Sequence, residues 1–126
     1  MEAILDRLDL RTNFYEMGKI TGAQKIFAQV CEQNGLPRPT PEFRFHQTRA
    51  WRIDYYFTNP INGIRVALEV EGGIWNYGRH NRPSGFIKDM EKYNSLALEG
   101  VLLLRVLPRE LVTVKTFNLL KKALKI

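Results

Sequence analysis

Three acidic residues, Asp54, Glu69 and Glu71, occupy two segments that the sequence predicts to be neighbouring strands. Because side chains alternate between the two faces of a strand, Glu69 and Glu71 share a face, and antiparallel pairing can bring Asp54 onto the same face. Like charges this close are unfavourable unless a proton is retained or a cation neutralises them. Carboxylate oxygens suit Mg²⁺ or Mn²⁺, so the trio predicts a divalent-metal site.

On alternation alone, the acids have a plainer explanation, a solvated sheet face on which Glu69 and Glu71 pair with Arg52 and Arg65. The flanking sequence favours the metal site, because cationic and aromatic groups stand on both sides of the acids and guanidinium groups bind phosphates. The residues predicted to bind nucleic acid are Arg44, His46, Arg49 and Arg52 before Asp54, and Trp75, Arg79, His80 and Arg82 in the glycine-rich loop after Glu71. A surface loop with Trp75 packed on the core is the alternative.

Hydrophobic periodicity predicts the elements that position these residues. Helical spacing over residues 23–34 ends at Gly35, and alternation then predicts strands over residues 42–46, 51–57 and 64–71. The Asn62–Gly63 turn suits a hairpin, so the last two strands should pair antiparallel. In the strand over residues 51–57, Ile53, Tyr55 and Phe57 are expected on one face.

The second half of the chain predicts a helix, a strand and a helix. Residues 84–99 form a helix that ends at Gly100, and its buried stripe is expected to be Phe86, Met90, Tyr93 and Ala97. Residues 101–107 are almost continuously apolar, which predicts a fully buried strand. Residues 110–125 predict a last helix that buries Leu111, Val114, Phe117, Leu120 and Leu124.

Composition predicts the class of protein. The 126 residues suit one domain, and a net charge of +6 favours polyanionic partners. The lone Cys31 cannot form an internal disulfide, and the acids among residues 1–10 do not suit a signal peptide, so a reducing, cytoplasmic location is expected. The longest apolar run, residues 101–104, is too short to span a membrane.

Four sequence features together resemble the PD-(D/E)XK nuclease superfamily, and more narrowly small phage-type endonucleases related to very-short-patch repair and Holliday-junction resolving enzymes. They are Arg52-Ile53-Asp54, then Leu68-Glu69-Val70-Glu71-Gly72-Gly73, then a helix with Asp89, Lys92, Tyr93 and Asn94, and finally Gly100-Val101-Leu102-Leu103-Leu104-Arg105-Val106. The resemblance implies an α/β fold with a restriction-endonuclease-like core, in which a mixed central sheet is flanked by helices in the order α-β-β-β-α-β-α. It divides residues 1–126 into N-terminal helices (1–36), a catalytic core (42–108) and a C-terminal helix (109–126).

The resemblance also implies roles for single residues. Asp54 and Glu69 match the motif's two acids and would ligate the metal directly, with the backbone carbonyl of Val70 as a further ligand. The motif's lysine falls at Glu71, a departure that makes Glu71 a third ligand or a general base. Lys92, or less favourably Lys88, would supply the missing positive charge, unless these lysines are simply solvated.

The expected function is that of a Mg²⁺- or Mn²⁺-dependent DNA endonuclease that cuts branched, junction or otherwise distorted duplex DNA, in a bacterial cell or a phage-infected host. A homodimer is a further possibility, because cutting two strands commonly needs two sites. The main alternative is a non-catalytic nucleic-acid-binding domain that holds the backbone with basic residues, among them Lys121, Lys122 and Lys125. A glycoside hydrolase fits the positive charge poorly, and a protein-interaction module built on the last helix is the remaining rival.

Overall fold

A computed structural model describes residues 20–72 and 83–126, which form an α/β arrangement with a four-stranded mixed sheet and three α-helices. The strands are β1 (Thr40–Arg44), β2 (Arg52–Thr58), β3 (Arg65–Val70) and β4 (Leu102–Val106), and the α-helices are α1 (Gly22–Gln33), α2 (Pro83–Leu98) and α3 (Val114–Leu124). A short 3-10 helix, Pro108–Glu110, separates β4 from α3. The predicted order of elements lacked it. Among the described residues, no helix is long and apolar enough to span a membrane.

The sheet has the strand order β1-β2-β3-β4. The first three strands are antiparallel neighbours, as predicted for the second and third, and β4 runs parallel to β3 with Arg105 beside Glu69. A parallel neighbour needs a long crossover connection, and the segment that contains α2 provides it. The carboxyl ends of β1, β3 and β4 and the amino end of β2 therefore lie at the same end of the sheet, which we call the site end.

Helix α1 begins and ends as its sequence predicts. The Thr21 hydroxyl accepts a hydrogen bond from the Gln24 backbone N–H at 3.2 Å, and the Gln24 side chain accepts one in return from the Thr21 backbone. At the other end Gly35 adopts φ +80°, and the Leu36 N–H binds the carbonyl of Cys31 at 3.0 Å.

Apolar side chains form two clusters, one on each face of the sheet. Helices α1 and α3 cover the larger cluster, whose buried members are Phe27, Cys31, Leu36, Tyr55, Phe57, Val66, Leu68, Val106, Phe117, Leu120 and Leu124. Helix α2 covers the smaller cluster, whose buried members are Phe43, Ile53, Tyr56, Ala67, Leu96 and Val101. Ala67 belongs to the α2 face, so Glu69, two residues further along β3, lies on that face too.

The alternation expected for β2 is wrong at its amino end. Ile53 packs in the α2 cluster, whereas Tyr55 and Phe57 pack on the opposite face. Opposite this break, the β1–β2 register places Glu42, which has φ +51°, beside Asp54. A left-handed residue in a strand disturbs its regular pleat, which explains why the two-residue period fails at this point.

The stripe expected on α2 is confirmed at Tyr93, which packs against the smaller cluster, and is wrong at Met90 and Ala97; the side chain of Phe86 lies outside the described part of the structure. Met90 and Ala97 are exposed, whereas Leu96 is fully buried. The inward stripe instead joins Asp89, Lys92, Tyr93 and Leu96, at the spacing of one helix face. The search for an apolar stripe missed it because two of its members carry charge.

Two further expectations fail in the last third of the chain. Strand β4 is an edge strand of the described sheet, so Leu102 is 51% exposed rather than fully buried. The last helix begins at Val114 instead of residue 110, and Val114 is exposed. Thr113 explains the later start, because its extended backbone and its hydroxyl, which accepts from the Thr116 N–H at 3.3 Å, cap the helix there.

Candidate active site

Asp54 and Glu69 form a carboxyl pair at the site end, on the face covered by α2. The last registered pair between their strands joins Tyr55 to Leu68, so Asp54 and Glu69 are the next residues to face each other. The Val70 backbone N–H donates to Asp54 Oδ2 at 2.7 Å, and the Asp54 and Glu69 side chains are hydrogen-bonded to each other. The end of the β2–β3 ladder thus holds the Asp54 carboxylate in place.

Glu69 is buried, with only 6% of its surface exposed. Burial, and next the hydrogen bond to Asp54, raise the pKa of the Glu69 carboxyl to about 7, while Lys92 acts in the opposite direction. The Lys92 ammonium lies 2.5 Å from Glu69 Oε1. Near neutral pH the Glu69 carboxyl therefore exchanges readily between its protonated and ionised forms. A cation that stabilised the ionised form would displace the proton.

Glu71 has a different partner. Arg105 Nε donates to Glu71 Oε1 at 2.6 Å, and the Arg105 guanidinium lies over the Tyr93 ring at 5.0 Å from its centre. The hydrogen bond that Arg105 donates to Glu71 raises the pKa of the Arg105 guanidinium above its ordinary value. Glu71 is therefore engaged by a permanent cation on the neighbouring strand.

The structure brings together two of the three acids predicted to bind a metal. Within residues 20–72 and 83–126, no three acidic, histidine or cysteine side chains converge where they could hold an ion. Of the predicted ligands, the Asp54 and Glu69 carboxylates lie together, and Val70, whose carbonyl is the further predicted ligand, follows Glu69 in β3. Burial and the neighbouring Asp54 raise the pKa of the Glu69 carboxyl, and a divalent ion would favour its ionised form instead. The metal site stays a prediction, and Glu71 would have to leave Arg105 to join it.

Of the two lysines considered from the sequence, Lys92 is the one that reaches the acids. It lies on the inward stripe of α2 and contacts Glu69, whereas Lys88, one turn earlier, is exposed. Lys92 Nζ also lies 5.8 Å from the centre of the Tyr93 ring. Helix α2 thus places the Lys92 ammonium beside the carboxyl pair, on the face of the sheet that the helix covers.

Four of the predicted nucleic-acid-binding residues stand at the site end, two to ten residues before Asp54. Arg44 and Arg52 are direct partners in the β1–β2 register. Arg49 forms an ion pair with Glu91 of α2 at 3.2 Å and covers the Trp51 ring at 4.1 Å. The remaining members of the predicted set, Trp75, Arg79, His80 and Arg82, lie outside the described residues.

His46 organises the connection between β1 and β2. Its Nδ1 accepts hydrogen bonds from the Arg49 N–H at 3.0 Å and the Thr48 N–H at 3.2 Å. The His46 ring meets the Trp51 ring edge-on, with their centres 5.0 Å apart. His46 therefore fixes the loop that carries Arg49 beside the site.

Arg105 and Tyr93 are site residues to which sequence reasoning gave no part in the chemistry. Arg105 interrupts the otherwise apolar run Leu102–Val106, which is the signal that marks it. A charge in an apolar strand needs a nearby partner. The parallel register places Arg105 beside Glu69, and the Arg105 side chain binds Glu71, two residues further along. Tyr93 gave a weaker signal, because an aromatic residue on a helix face most often serves the core.

The site combines the buried Glu69 carboxyl and the half-buried Asp54 carboxyl with two cations bound to acids and a basic loop, at one end of a mixed sheet. Asp54 and Glu69 can hold a cation or share a proton, and Lys92 can balance charge beside them. No protein-family model matches the sequence, and searches of curated proteins and of solved structures find no protein similar to it.

Proposed function

We propose that this protein is a divalent-metal-dependent DNA endonuclease with a restriction-endonuclease-like core, acting on branched or junction DNA. The observation that carries the proposal is the pair of half-buried Asp54 and buried Glu69, with the Lys92 ammonium 2.5 Å from Glu69. Two carboxylates and a lysine beside one another at a sheet end can bind a hard cation and assist attack by water. The mixed sheet with helices on both faces is consistent with the resemblance in sequence.

Asp54 and Glu69, with the carbonyl of Val70, would hold Mg²⁺ or Mn²⁺. When bound, the ion would supply Lewis-acid stabilisation of the charge that develops on a phosphodiester and would make water a stronger nucleophile. The Val70 N–H keeps Asp54 oriented while Asp54 binds. Lys92 balances the negative charge of Glu69 and lies where it can also stabilise charge on the phosphate.

The charges around the site support a nucleic-acid substrate. Arg44, Arg49 and Arg52 stand at the site end, close in the chain to Asp54, and the whole protein carries a net charge of +6. Positive groups beside a carboxyl pair attract a polyanion to a place that acids alone would repel. Arg49, stacked on Trp51, offers a flat cationic surface suited to phosphate or an exposed base. This feature favours DNA with distorted pairing over intact duplex.

A cleavage assay tests the proposal. Four-way junction, flap, mismatched and plain duplex DNA would be incubated with the protein in Mg²⁺ and in Mn²⁺. Asp54→Asn and Glu69→Gln keep the shape of the side chains and remove their charge, so each should reduce cleavage by at least about 100-fold, as expected for loss of a group that stabilises the transition state. Glu32→Gln is the matched control, because Glu32 is a half-exposed acid of α1 paired with Arg38.

Full cleavage by both site variants would overturn the proposed active site. Cleavage by wild type that persists in excess EDTA would overturn its dependence on metal. Loss of cleavage in Asp54→Asn and Glu69→Gln, with Glu32→Gln unaffected and all three variants folded, is the expected result.

A non-catalytic nucleic-acid-binding domain is the second candidate. The pairing of Glu69 with Lys92 and of Glu71 with Arg105 favours it. These ion pairs give the two acids a structural role that needs no metal ion. Salt-sensitive binding of junction DNA, with no cleavage in Mg²⁺ or Mn²⁺ and no thermal stabilisation by either ion, would favour it.

A further inference from the structure

Arg105 lies beside Glu69 in the strand register but binds Glu71. The parallel β3–β4 pairing matches Arg105 with Glu69, whereas Arg105 Nε donates to Glu71 Oε1 at 2.6 Å. The Arg105 side chain is 51% exposed and that of Glu71 is 21% exposed. A solvent-facing cation on the edge strand therefore covers a less exposed carboxylate.

Glu71 stands close to the carboxyl pair, one step beyond the end of β3. Glu69 and Glu71 are two residues apart on the same face, a separation of about 7 Å along a strand. The Glu71 N–H binds the carbonyl of Val106 at 2.8 Å, which fixes the point from which its side chain starts. Glu69 and Arg105 both stand on this face, so the Glu71 carboxylate has a cation on one side and the carboxyl pair on the other.

The contact with Arg105 holds the Glu71 carboxylate away from the carboxyl pair. Each glutamate has a cation of its own, Lys92 for Glu69 and Arg105 for Glu71. A metal ion bound by Asp54 and Glu69 gains Glu71 as a ligand only if Arg105 finds another anion. Phosphate is such an anion, because a guanidinium group binds it with two parallel hydrogen bonds.

We propose that Arg105 is a substrate-operated latch, which holds Glu71 away from Asp54 and Glu69 until a DNA phosphate binds the Arg105 guanidinium and frees Glu71 to become the third acidic ligand. The proposal rests on the metal site proposed above. Without DNA the site offers two carboxylates to a metal ion, and with DNA it offers three. The third acidic ligand is therefore available to the metal ion only when DNA is bound. The Tyr93 ring, which the guanidinium covers, guides Arg105 between the two partners.

The first test measures DNA affinity in EDTA, where neither metal binding nor cleavage contributes. The probe is a fluorescein-labelled four-way junction made from synthetic oligonucleotides, and the readout is fluorescence anisotropy. If Glu71 competes with phosphate for Arg105, Glu71→Gln should tighten binding by at least about fivefold in the presence of Arg105 and by less than about twofold in the Arg105→Gln background. Simple long-range repulsion between Glu71 and DNA predicts the same gain in both backgrounds.

The second test measures Mn²⁺ affinity of the DNA-free protein by titration calorimetry. With Arg105 present, Glu71 is held away, so Glu71→Gln should weaken Mn²⁺ binding by less than about twofold; with Arg105→Gln, the same change should weaken it by at least about fivefold. Arg109→Gln is the matched background, because Arg109 is an exposed arginine close in the chain to Arg105. There the effect of Glu71→Gln should equal its effect in wild type. Thermal melting shows whether each variant is folded.

The outcomes separate the latch from the proposed function. Additive effects of Glu71→Gln and Arg105→Gln in both tests would overturn the latch, while Mn²⁺ binding that is lost in Asp54→Asn would still support the metal site. If wild type binds no Mn²⁺ at millimolar concentration, the metal site and the latch are both overturned. Coupling between Glu71 and Arg105 in both tests is the expected result.

Discussion

One buried carboxyl group, that of Glu69, determines how the site responds to protons and cations. Its neighbours act in opposite directions, since burial and Asp54 favour the protonated form and Lys92 favours the ionised form. A group balanced in this way changes state near neutral pH and is sensitive to any added charge.

Protein stability should therefore fall as pH rises from about 5 to about 7.5. The pKa of Glu69 is raised to about 7 in the folded protein from an ordinary 4.5, so over this range the folded state keeps a proton that the unfolded state has lost. The contribution of Glu69 to the free energy of unfolding is fully present below the pKa that Glu69 has in the unfolded chain. It is lost as the pH rises through the pKa that Glu69 has in the folded protein. Its size is on the order of 1–3 kcal/mol. Urea unfolding at several pH values should show a smaller fall for Glu69→Gln than for wild type. Equal pH dependence would contradict the expectation.

Removal of the Lys92 charge should raise the pKa of the Glu69 carboxyl above its wild-type value of about 7. The reason is that Lys92→Met deletes the cation that stabilises ionised Glu69 while it keeps much of the apolar stem. Titration of the glutamate carboxyl carbons by NMR would measure the change. Lys88→Met is the control, because Lys88 is exposed on the same helix, and it should leave the Glu69 titration where it is.

At the scale of elements, the sequence predicts best where a segment obeys one period and has clear ends. Helix α1 has a capping residue at one end and Gly35 at the other, and its bounds agree with the prediction to within one residue. The β2–β3 hairpin is likewise specified by its Asn-Gly turn, where Gly63 has φ +77°. The ends of α1 and the turn between β2 and β3 depend on residues adjacent in the chain, so they can be predicted from the sequence alone.

The sequence predicts poorly where tertiary position overrides the local pattern. The run Leu102–Leu104 has the composition of a buried strand, but the order of the sheet places it at an edge. The acids Asp54 and Glu69 could be placed on one face by alternation, whereas the engagement of Glu71 by Arg105 depends on which strand lies beside β3. Which distant strand a given strand pairs with cannot be predicted from the local sequence of either strand.

The inward face of α2 provides a test at this scale. Leu96→Ala should lower the free energy of unfolding by about 2–4 kcal/mol, because it removes a fully buried side chain from the smaller cluster. Met90→Ala should lower it by less than about 1 kcal/mol, because Met90 is half exposed. Urea denaturation of both variants measures the difference. The opposite ranking would restore the apolar stripe expected from the sequence.

At the scale of the whole molecule, the described part of the chain has basic residues at both ends of the sheet. Arg44, Arg49 and Arg52 are at the site end, whereas the end of α3, with Lys122, lies at the opposite end, where Asn59 and Asn62 donate to the carbonyl of Leu124. A polyanion bound across the carboxyl pair meets the first group and not the second.

Binding of junction DNA in EDTA should depend on the arginines of the site end. Arg44→Gln with Arg49→Gln should weaken binding and reduce the slope of log affinity against log salt by about 1–2, since each lost phosphate contact releases one counterion fewer. Lys122→Gln removes an exposed charge at the other end and should change neither quantity. Anisotropy titrations over a range of salt concentrations measure both. A larger effect of Lys122→Gln would place the DNA on α3 instead.

The buried thiol of Cys31 is a natural probe of how often the larger apolar cluster opens. Cys31 is the one cysteine of the chain, its side chain is fully buried between α1 and the sheet, and burial raises the pKa of its thiol to about 12. A thiol reagent added to the native protein can therefore react only when this cluster opens, and the rate of colour development reports how often it does so. Cys31 lies on the opposite face of the sheet from Glu69. The reaction rate of its thiol can therefore be followed during metal and DNA titrations without a label near the site.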